Sequence, residues 1–199
     1  DQVQFSTPEA DAQRRDFTIN GMFFDPVREE LLDFVGGQAD IEGRVLRAIG
    51  DPRQRFAEDK LRLLRAVRFA ARFDFMLDQP TESAVREMAG GISLVSPERI
   101  QQEVRRLLVD RNRVAAITMA DRVGLLNVIL PEVSAMHGVP QSKPVQPKGD
   151  LWDHTLLVLE KLDESWLATL DHLGRGGAPR RSSFTLAFGS LLHDVGKPR

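Results

Sequence analysis

The spacing of hydrophobic residues divides the chain into a short β-rich beginning and a long helical remainder. Residues 1–35 favour strands, because 17–20 and 22–24 combine β-branched and aromatic side chains. A hairpin is expected across residues 25–30, where turn-forming residues separate two apolar runs. The pair Gly36-Gly37 then interrupts the pattern, and helical periodicity dominates from there to the end of the chain.

Capping residues and helix breakers mark several helix ends. Asp51-Pro52 and Ser96-Pro97 each combine an N-cap residue with a proline that suits the first helical position. Gly90-Gly91, Gly124 and Pro131 are expected to end helices. The middle of the chain is therefore predicted to be a series of short helices.

The most informative helix is predicted over residues 56–73, with successive positions separated by ~100°. Apolar side chains cover about half of its circumference, which predicts a largely buried helix. Four arginines lie along it: Arg62, Arg65, Arg68 and Arg72. Burying guanidinium groups is costly unless each finds an anion. Two interpretations remain open: a row of donors that faces phosphates, or a solvated edge on which Glu58 pairs with Arg62 at the four-residue spacing.

Composition and charge exclude several classes of protein. The 199 residues are 42% hydrophobic and 28% charged, as in a soluble globular protein. The absence of cysteine excludes disulfides and thiolate metal sites, so a cytoplasmic location is expected. No apolar run reaches the ~20 residues that span a bilayer. Because the net charge is −2, a nucleic-acid partner must bind a local basic patch. Of the 27 basic residues, 22 are arginines, whose planar guanidinium groups suit contacts with phosphates and base edges.

A proline- and glycine-rich stretch over residues 138–149 predicts a linker between two domains. Beyond it, residues 151–171 and 183–193 have the apolar periodicity of helices. The predicted organisation has four parts: a head segment over 1–40, a helical neck over 41–137, the linker over 138–149, and a partial helical domain over 150–199.

Four segments together carry a resemblance to a known family. They are Arg-Arg-Asp-Phe-Thr-Ile-Asn at 14–20, Asp-Phe-Val-Gly-Gly-Gln-Ala-Asp-Ile at 33–41, Glu-Asp-Lys-Leu-Arg-Leu-Leu-Arg-Ala-Val-Arg-Phe at 58–69, and Ser-Pro-Glu-Arg-Ile-Gln-Gln-Glu at 96–103. In this order they resemble the signatures of the bacterial tRNA nucleotidyltransferase and poly(A) polymerase family. The resemblance implies an α+β, mostly α fold, in which the end of a nucleotidyltransferase head with a partial sheet precedes a helical neck.

The family's first signature, which contains two aspartates that hold Mg²⁺, has no counterpart before Arg14. The resemblance therefore implies a chain that is truncated at its N-terminus and is inactive in nucleotidyl transfer by itself. The full-length enzyme would transfer nucleotides from ATP and CTP to the 3′ end of tRNA or another RNA.

The resemblance also implies roles for five residues. Arg15 would belong to the nucleotide pocket, Asp59 and Arg62 would read the base, and Arg65 and Arg68 would support the nucleotide and its phosphates. An Asp–Arg pair accepts from the amino group and donates to the ring nitrogen of adenine or cytosine, whereas guanine and uracil reverse both contacts. CCA addition is the first hypothesis, in full or as CC-only or A-only addition. Poly(A) synthesis and a noncatalytic RNA-binding module remain alternatives.

The last 50 residues carry a second resemblance. The segments 152–157 and 191–198 resemble an HD-type metal-dependent phosphohydrolase domain. This implies that His154, His193 and Asp194 are three ligands of a divalent transition metal, in a site that is incomplete within this chain. HD phosphohydrolase activity is therefore a further alternative function, while His137 and His172 are expected to be linker and surface residues.

Overall fold

The computed structural model describes residues 7–140, 149–162 and 183–198. Its helices are α1 Pro8–Arg14, α2 Gly37–Glu42, α3 Pro52–Glu58, α4 Leu61–Phe73, α5 Gln79–Met88, α6 Pro97–Leu108, α7 Arg113–Arg122, α8 Leu125–Ile129, α9 Pro131–Ser134, α10 Leu151–Glu160 and α11 Ser183–Leu192. Its strands are β1 Met22–Asp25, β2 Glu30–Asp33, β3 Val45–Leu46 and β4 Met76–Leu77. The fold is thus mostly helical with a small β component, as the sequence predicted.

The hairpin is confirmed, but the described residues before it, 7–21, contain no strand. Strands β1 and β2 pair antiparallel, with Phe23 opposite Leu32. Residues 8–14 form α1, whose first turn is capped by the Thr7 hydroxyl, and residues 18–20 form a 3-10 turn. The prediction of strands over 7–21 was therefore wrong: a cap and an N1 proline start a helix at Pro8, and Phe17 forms an isolated bridge with Ala48 instead of a strand.

The glycine pair after the hairpin is needed for two different reasons. Gly36 has φ +78°, a left-handed conformation that glycine adopts without steric cost. At Gly37 an added Cβ would lie 2.5 Å from the carbonyl oxygen of Thr18. The Asp33 carboxylate accepts hydrogen bonds from the N–H groups of Gly37 and Gln38, at 3.0 and 2.9 Å. The turn thus fixes the hairpin against the segment that follows α1.

The predicted helix over 56–73 is two helices. Asp59 has φ −147° and ψ 107°, so the chain is extended between α3 and α4. Its carboxylate accepts a hydrogen bond from the Leu61 N–H at 3.0 Å and so satisfies one free donor at the start of α4. Asp59 therefore precedes α4 rather than lying on its face, because an aspartate competes for backbone hydrogen bonds within a helix.

Other helix boundaries follow the sequence closely. Asp51 caps α3 through a hydrogen bond from the Arg53 N–H at 3.0 Å, as predicted. Ser96 precedes α6, but its hydroxyl makes no capping hydrogen bond. Gly124, with φ +82°, separates α7 from α8 as expected.

Helix α4 is the centre of the core and packs against α6 and α7. Leu63, Leu64 and Val67 of this helix are fully buried, as the periodicity predicted. Helices α10 and α11 contribute Leu159 and Leu191 to the same hydrophobic core. No helix among the described residues is both long and apolar enough to cross a membrane.

The ends of the predicted linker lie next to each other. The Leu151 N–H donates to the Val139 carbonyl at 2.9 Å, and Pro140 forms a bridge with Asp150. Residues 141–148 lie outside the described residues, as do 163–182 with His172. The division into head, neck, linker and partial domain stays a prediction.

We expect Gly37→Ala to destabilise the fold by about 1–3 kcal/mol, because its Cβ would press on the Thr18 carbonyl and the Met22 side chain. Urea unfolding followed by circular dichroism measures this. The matched control is Gly90→Ala, since a Cβ at Gly90 meets nothing within 4 Å. Equal unfolding midpoints for the two variants would contradict the close approach at Gly37.

Candidate functional site

An open cleft of about 510 Å³ lies where α1, α4 and α6 meet. Charged side chains dominate its lining, with five arginines and two aspartates among ten residues. They are Arg14, Arg15, Asp16, Asn20, Asp59, Leu61, Arg62, Arg65, Phe69 and Arg99. Four of the five nucleotide-site residues predicted from the sequence therefore lie together: Arg15, Asp59, Arg62 and Arg65.

Asp59 is held from two sides. Its Oδ1 accepts the Leu61 N–H, and its Oδ2 accepts a hydrogen bond from Arg99 Nη2 at 2.7 Å. Partial burial alone would raise the pKa of Asp59, but the hydrogen bonds from Arg99 and Leu61 and the charges of Arg99 and Arg62 hold it below the usual value of 3.8. A carboxylate has about four lone-pair sites, so two remain for a ligand.

Arg62 is anchored by its own neighbours and still lines the cleft. Its Nη1 donates to Glu58 Oε2 at 2.7 Å and to the Arg55 carbonyl at 3.1 Å, while Nη2 donates to the Arg14 carbonyl at 3.3 Å. The hydrogen bond from Arg62 and the charges of Arg55 and Arg62 lower the pKa of Glu58. The two interpretations of this arginine are therefore compatible: Glu58 pairs with it, and that pair orients it beside Asp59.

Arg65 is fixed by a buried aspartate from outside its helix. Its Nε donates to Asp16 Oδ2 at 2.6 Å. The other oxygen, Asp16 Oδ1, accepts the Phe17 N–H at 3.1 Å and the Asn20 side-chain amide at 3.0 Å. Asp16 thus accepts three hydrogen bonds that join Arg65 of α4 to the segment that follows α1.

Arg15 sits at the exposed edge of the cleft. It donates through Nε and Nη2 to Asp11 Oδ2, and through Nη1 to the Asn20 carbonyl at 3.1 Å. Its guanidinium carbon lies 4.8 Å from the centre of the Phe23 ring, a cation–π contact with the hairpin. The arginine therefore connects α1, the 3-10 turn and β1.

Arg68 lies elsewhere than the sequence led us to expect. It does not line the cleft: its side chain is only 7% exposed, and its Nε donates to Glu103 Oε2 at 2.6 Å. Burial lowers the pKa of Arg68, although the charge and hydrogen bond of Glu103 act in the opposite direction. Glu103 also accepts from Arg106 at 2.6 Å. The position of Arg68 on α4 turns it toward α6, so it stabilises the packing of two helices.

Six of the ten cleft residues were not predicted from the sequence, among them Asp16, Asn20 and Arg99. These three fall within the segments that resemble the family signatures, which was the available signal. The contacts of Asp16 with Arg65 and of Arg99 with Asp59 join residues 40 or more positions apart, and a helical wheel contains no such information.

A second cluster joins α10 to the turn that follows α11. His193 Nε2 lies 3.4 Å from His154 Nε2 and 3.2 Å from Asp194 Oδ2, and His154 Nε2 lies 3.9 Å from the same oxygen. His193 Nδ1 donates to the Ser190 carbonyl at 2.7 Å, and Lys197 Nζ donates to Asp194 Oδ2 at 2.6 Å. The three residues predicted from the second resemblance thus each place one potential ligand atom within 4.8 Å of the other two.

His137 is not an isolated surface residue. Its ring stacks on Trp152 with centroids 4.4 Å apart, and its Nε2 is 2.9 Å from Asp121 Oδ2. This contact holds the start of α10 against α7.

Two family models match separate parts of the chain. One, described as "Poly A polymerase head domain", matches residues 1–47, and the other, "Probable RNA and SrmB- binding site of polymerase A", matches residues 74–136. The first match contains α1 and the hairpin, and the second contains Arg99.

Similar proteins are found among curated sequences and solved structures. A "Multifunctional CCA protein" of Halorhodospira halophila is 39% identical over 196 residues, which are 96% of this chain and 43% of the relative. The Neisseria gonorrhoeae protein of the same name is 36% identical over 195 residues, 97% of this chain and 43% of the relative. The structure of the Bacillus stearothermophilus CCA-adding enzyme in complex with CTP matches with a TM-score of 0.65 at 26% identity. The match covers 96% of this chain and 46% of the enzyme's chain.

The mostly helical fold with its small hairpin has the architecture of the CCA-adding enzyme structure above, which is a nucleotidyltransferase fold. The chain belongs to the tRNA nucleotidyltransferase and poly(A) polymerase family. It spans less than half the length of the curated relatives it matches.

We expect Glu103→Ala to destabilise the protein by about 3–5 kcal/mol, since it leaves the Arg68 guanidinium buried without an anion. The double variant Arg68→Met, Glu103→Leu should lose less, because it removes both charges. Thermal and urea unfolding measure this difference. The control is Glu87→Ala, which removes an exposed pair with Arg53 and should cost at most about 1 kcal/mol.

Proposed function

We propose that the protein containing this chain is a template-independent nucleotidyltransferase that adds C and A to the 3′ end of tRNA from CTP and ATP. The observation that carries the proposal is the juxtaposition of Asp59 and Arg62 in one cleft, each fixed by other protein groups. The names of the similar proteins, CCA proteins and a CCA-adding enzyme with CTP, support the same substrate class.

The chemistry of the pair explains a preference for C and A. The ionised Asp59 carboxylate accepts a hydrogen bond from an exocyclic amino group, and the Arg62 guanidinium donates to the adjacent ring nitrogen. Guanine and uracil offer a carbonyl beside an N–H. The carbonyl would then face the Asp59 carboxylate, where two acceptors meet, and the N–H would face the Arg62 guanidinium, where two donors meet. Each reversed contact leaves a buried group unpaired, at about 1–3 kcal/mol. The remaining arginines of the cleft, Arg15 and Arg65, suit the phosphates of the nucleotide.

Magnesium supplies Lewis-acid chemistry in such transfers, but the cleft carboxylates described here do not fit that role. Asp16 is committed to Arg65, and Asp59 is committed to Arg99. A divalent cation at either carboxylate would lie beside the guanidinium group that donates to it at 2.6–2.7 Å and would be repelled by that positive charge. The residues of this cleft therefore bind and select the nucleotide, and no step through a metal is assigned to them.

We further propose that His154, His193 and Asp194 hold a divalent transition metal in an HD-type phosphohydrolase site. Two imidazoles and a carboxylate suit such ions. The separations of 3.2–3.9 Å between their nearest atoms are close to the roughly 3.0–3.4 Å expected between ligands at about 2.1 Å from one ion. A bound ion would activate water toward a phosphoryl group.

Poly(A) synthesis is the alternative that shares the cleft, since a base-reading pair of this kind accepts adenine equally well. The product distinguishes the two. We expect the full-length protein, given a tRNA that lacks its 3′ end with CTP and ATP, to add two C residues and one A. A long A tail on the same RNA, formed without CTP, would favour the poly(A) alternative.

In the full-length enzyme, Asp59→Ala and Arg62→Ala should each weaken discrimination against GTP and UTP by about ten- to a hundredfold in relative kcat/KM. Because both groups bind one base, the effects should be non-additive in the double variant. The measurement compares the four nucleotides on one RNA primer.

The controls are Asp74→Asn and Arg86→Ala, which change exposed residues outside the cleft. Both should leave the nucleotide preference unchanged. If Asp59→Ala instead slows all four nucleotides equally, Asp59 serves only to start α4 and the base-reading role is wrong.

A further inference from the structure

The proposed metal cluster contains its own cation. Lys197 Nζ lies 2.6 Å from Asp194 Oδ2, the same oxygen that faces His154 and His193. A backbone hydrogen bond of 3.0 Å from the Lys197 N–H to the Asp194 carbonyl closes the turn that brings the two side chains together. Asp194 is only 13% exposed, while Lys197 is 49% exposed. The ammonium therefore approaches a nearly buried carboxylate from the solvent side.

One oxygen of Asp194 faces both imidazoles of the cluster. A carbonyl can only accept, so the contact with Ser190 places a hydrogen on His193 Nδ1 and leaves Nε2 as the ring atom that faces the cluster. Asp194 Oδ2 lies 3.2 Å from His193 Nε2 and 3.9 Å from His154 Nε2. The oxygen that Lys197 contacts is therefore also the carboxylate atom that lies nearest to both imidazoles.

We propose that Lys197 competes with a divalent cation for Asp194 and so lowers the metal affinity of the His154–His193–Asp194 cluster. This inference rests on the metal site proposed above. A metal ion that is bound to Asp194 Oδ2 would take the position of the ammonium and would repel it. Lys197 can yield, because its long side chain is half exposed and can turn into solvent.

The first test is a titration of the metal-free full-length protein with Co²⁺, followed by absorbance and by calorimetry. Lys197→Met should tighten binding about tenfold, the smallest change that a neighbouring unit charge typically makes to such an equilibrium. Asp194→Asn should remove binding at this site. Lys161→Met, which changes an exposed lysine at the end of α10, is the matched control and should bind as the unaltered protein does.

The outcomes separate this inference from the metal site itself. Tighter binding by Lys197→Met supports competition, even where the unaltered protein binds too weakly to measure. Unchanged or weaker binding by Lys197→Met overturns the competition between Lys197 and the metal ion. The metal site itself is still supported in that case if the unaltered protein binds Co²⁺ and Asp194→Asn does not. Absence of binding in every variant overturns both.

A second readout follows the lysine directly. Saturating Co²⁺ should increase the rate at which an amine-acylating reagent modifies Lys197, because the ammonium is freed from Asp194. Mass spectrometry of the Lys197 peptide measures this rate, with Lys161 as the internal reference. An equal Lys197 rate with and without bound metal would show that the ion does not displace the ammonium.

Discussion

Pairing of arginines with carboxylates from other segments is the constraint on which the helical core and the cleft both depend. Three arginines of α4 each meet an anion from a different element: Arg62 meets Glu58 of α3, Arg65 meets Asp16, and Arg68 meets Glu103 of α6. A mostly buried helix can carry these guanidinium groups only because each is paired. The same pairs hold α3, α6 and the segment after α1 against α4, and the last two of these form walls of the cleft together with α4.

This pairing also orders the cleft in the absence of a ligand. Asp59 and Arg62 are each held by at least two hydrogen bonds, so neither would have to change its orientation to bind a base in the proposed function. Fixed donors and acceptors discriminate better than mobile ones, because a mismatched base cannot be accommodated by a rotation of the side chain. The positive charge that remains at the exposed edge of the cleft suits phosphates.

The sequence predicted the buried face of α4 from its periodicity and the hairpin from its turn residues, whereas four of the cleft residues were implied by the family resemblance. It did not predict the break at Asp59, since a helical wheel assumes an uninterrupted helix. It misplaced Arg68 for a related reason: the wheel gives a direction but not the neighbour that lies there, which is Glu103. Arg99 was missed because its contact with Asp59 spans 40 residues.

The two candidate sites differ in how their charges are arranged, and this difference suits different ligands. In the cleft, Asp16 and Asp59 are each paired with an arginine, an arrangement that suits the base and phosphates of the proposed nucleotide. In the second cluster, one ligand atom from each of His154, His193 and Asp194 lies within 4.8 Å of the others, with Lys197 as the cation beside them. Because α10 and α11 share the core of α4, both arrangements depend on the same packed helices.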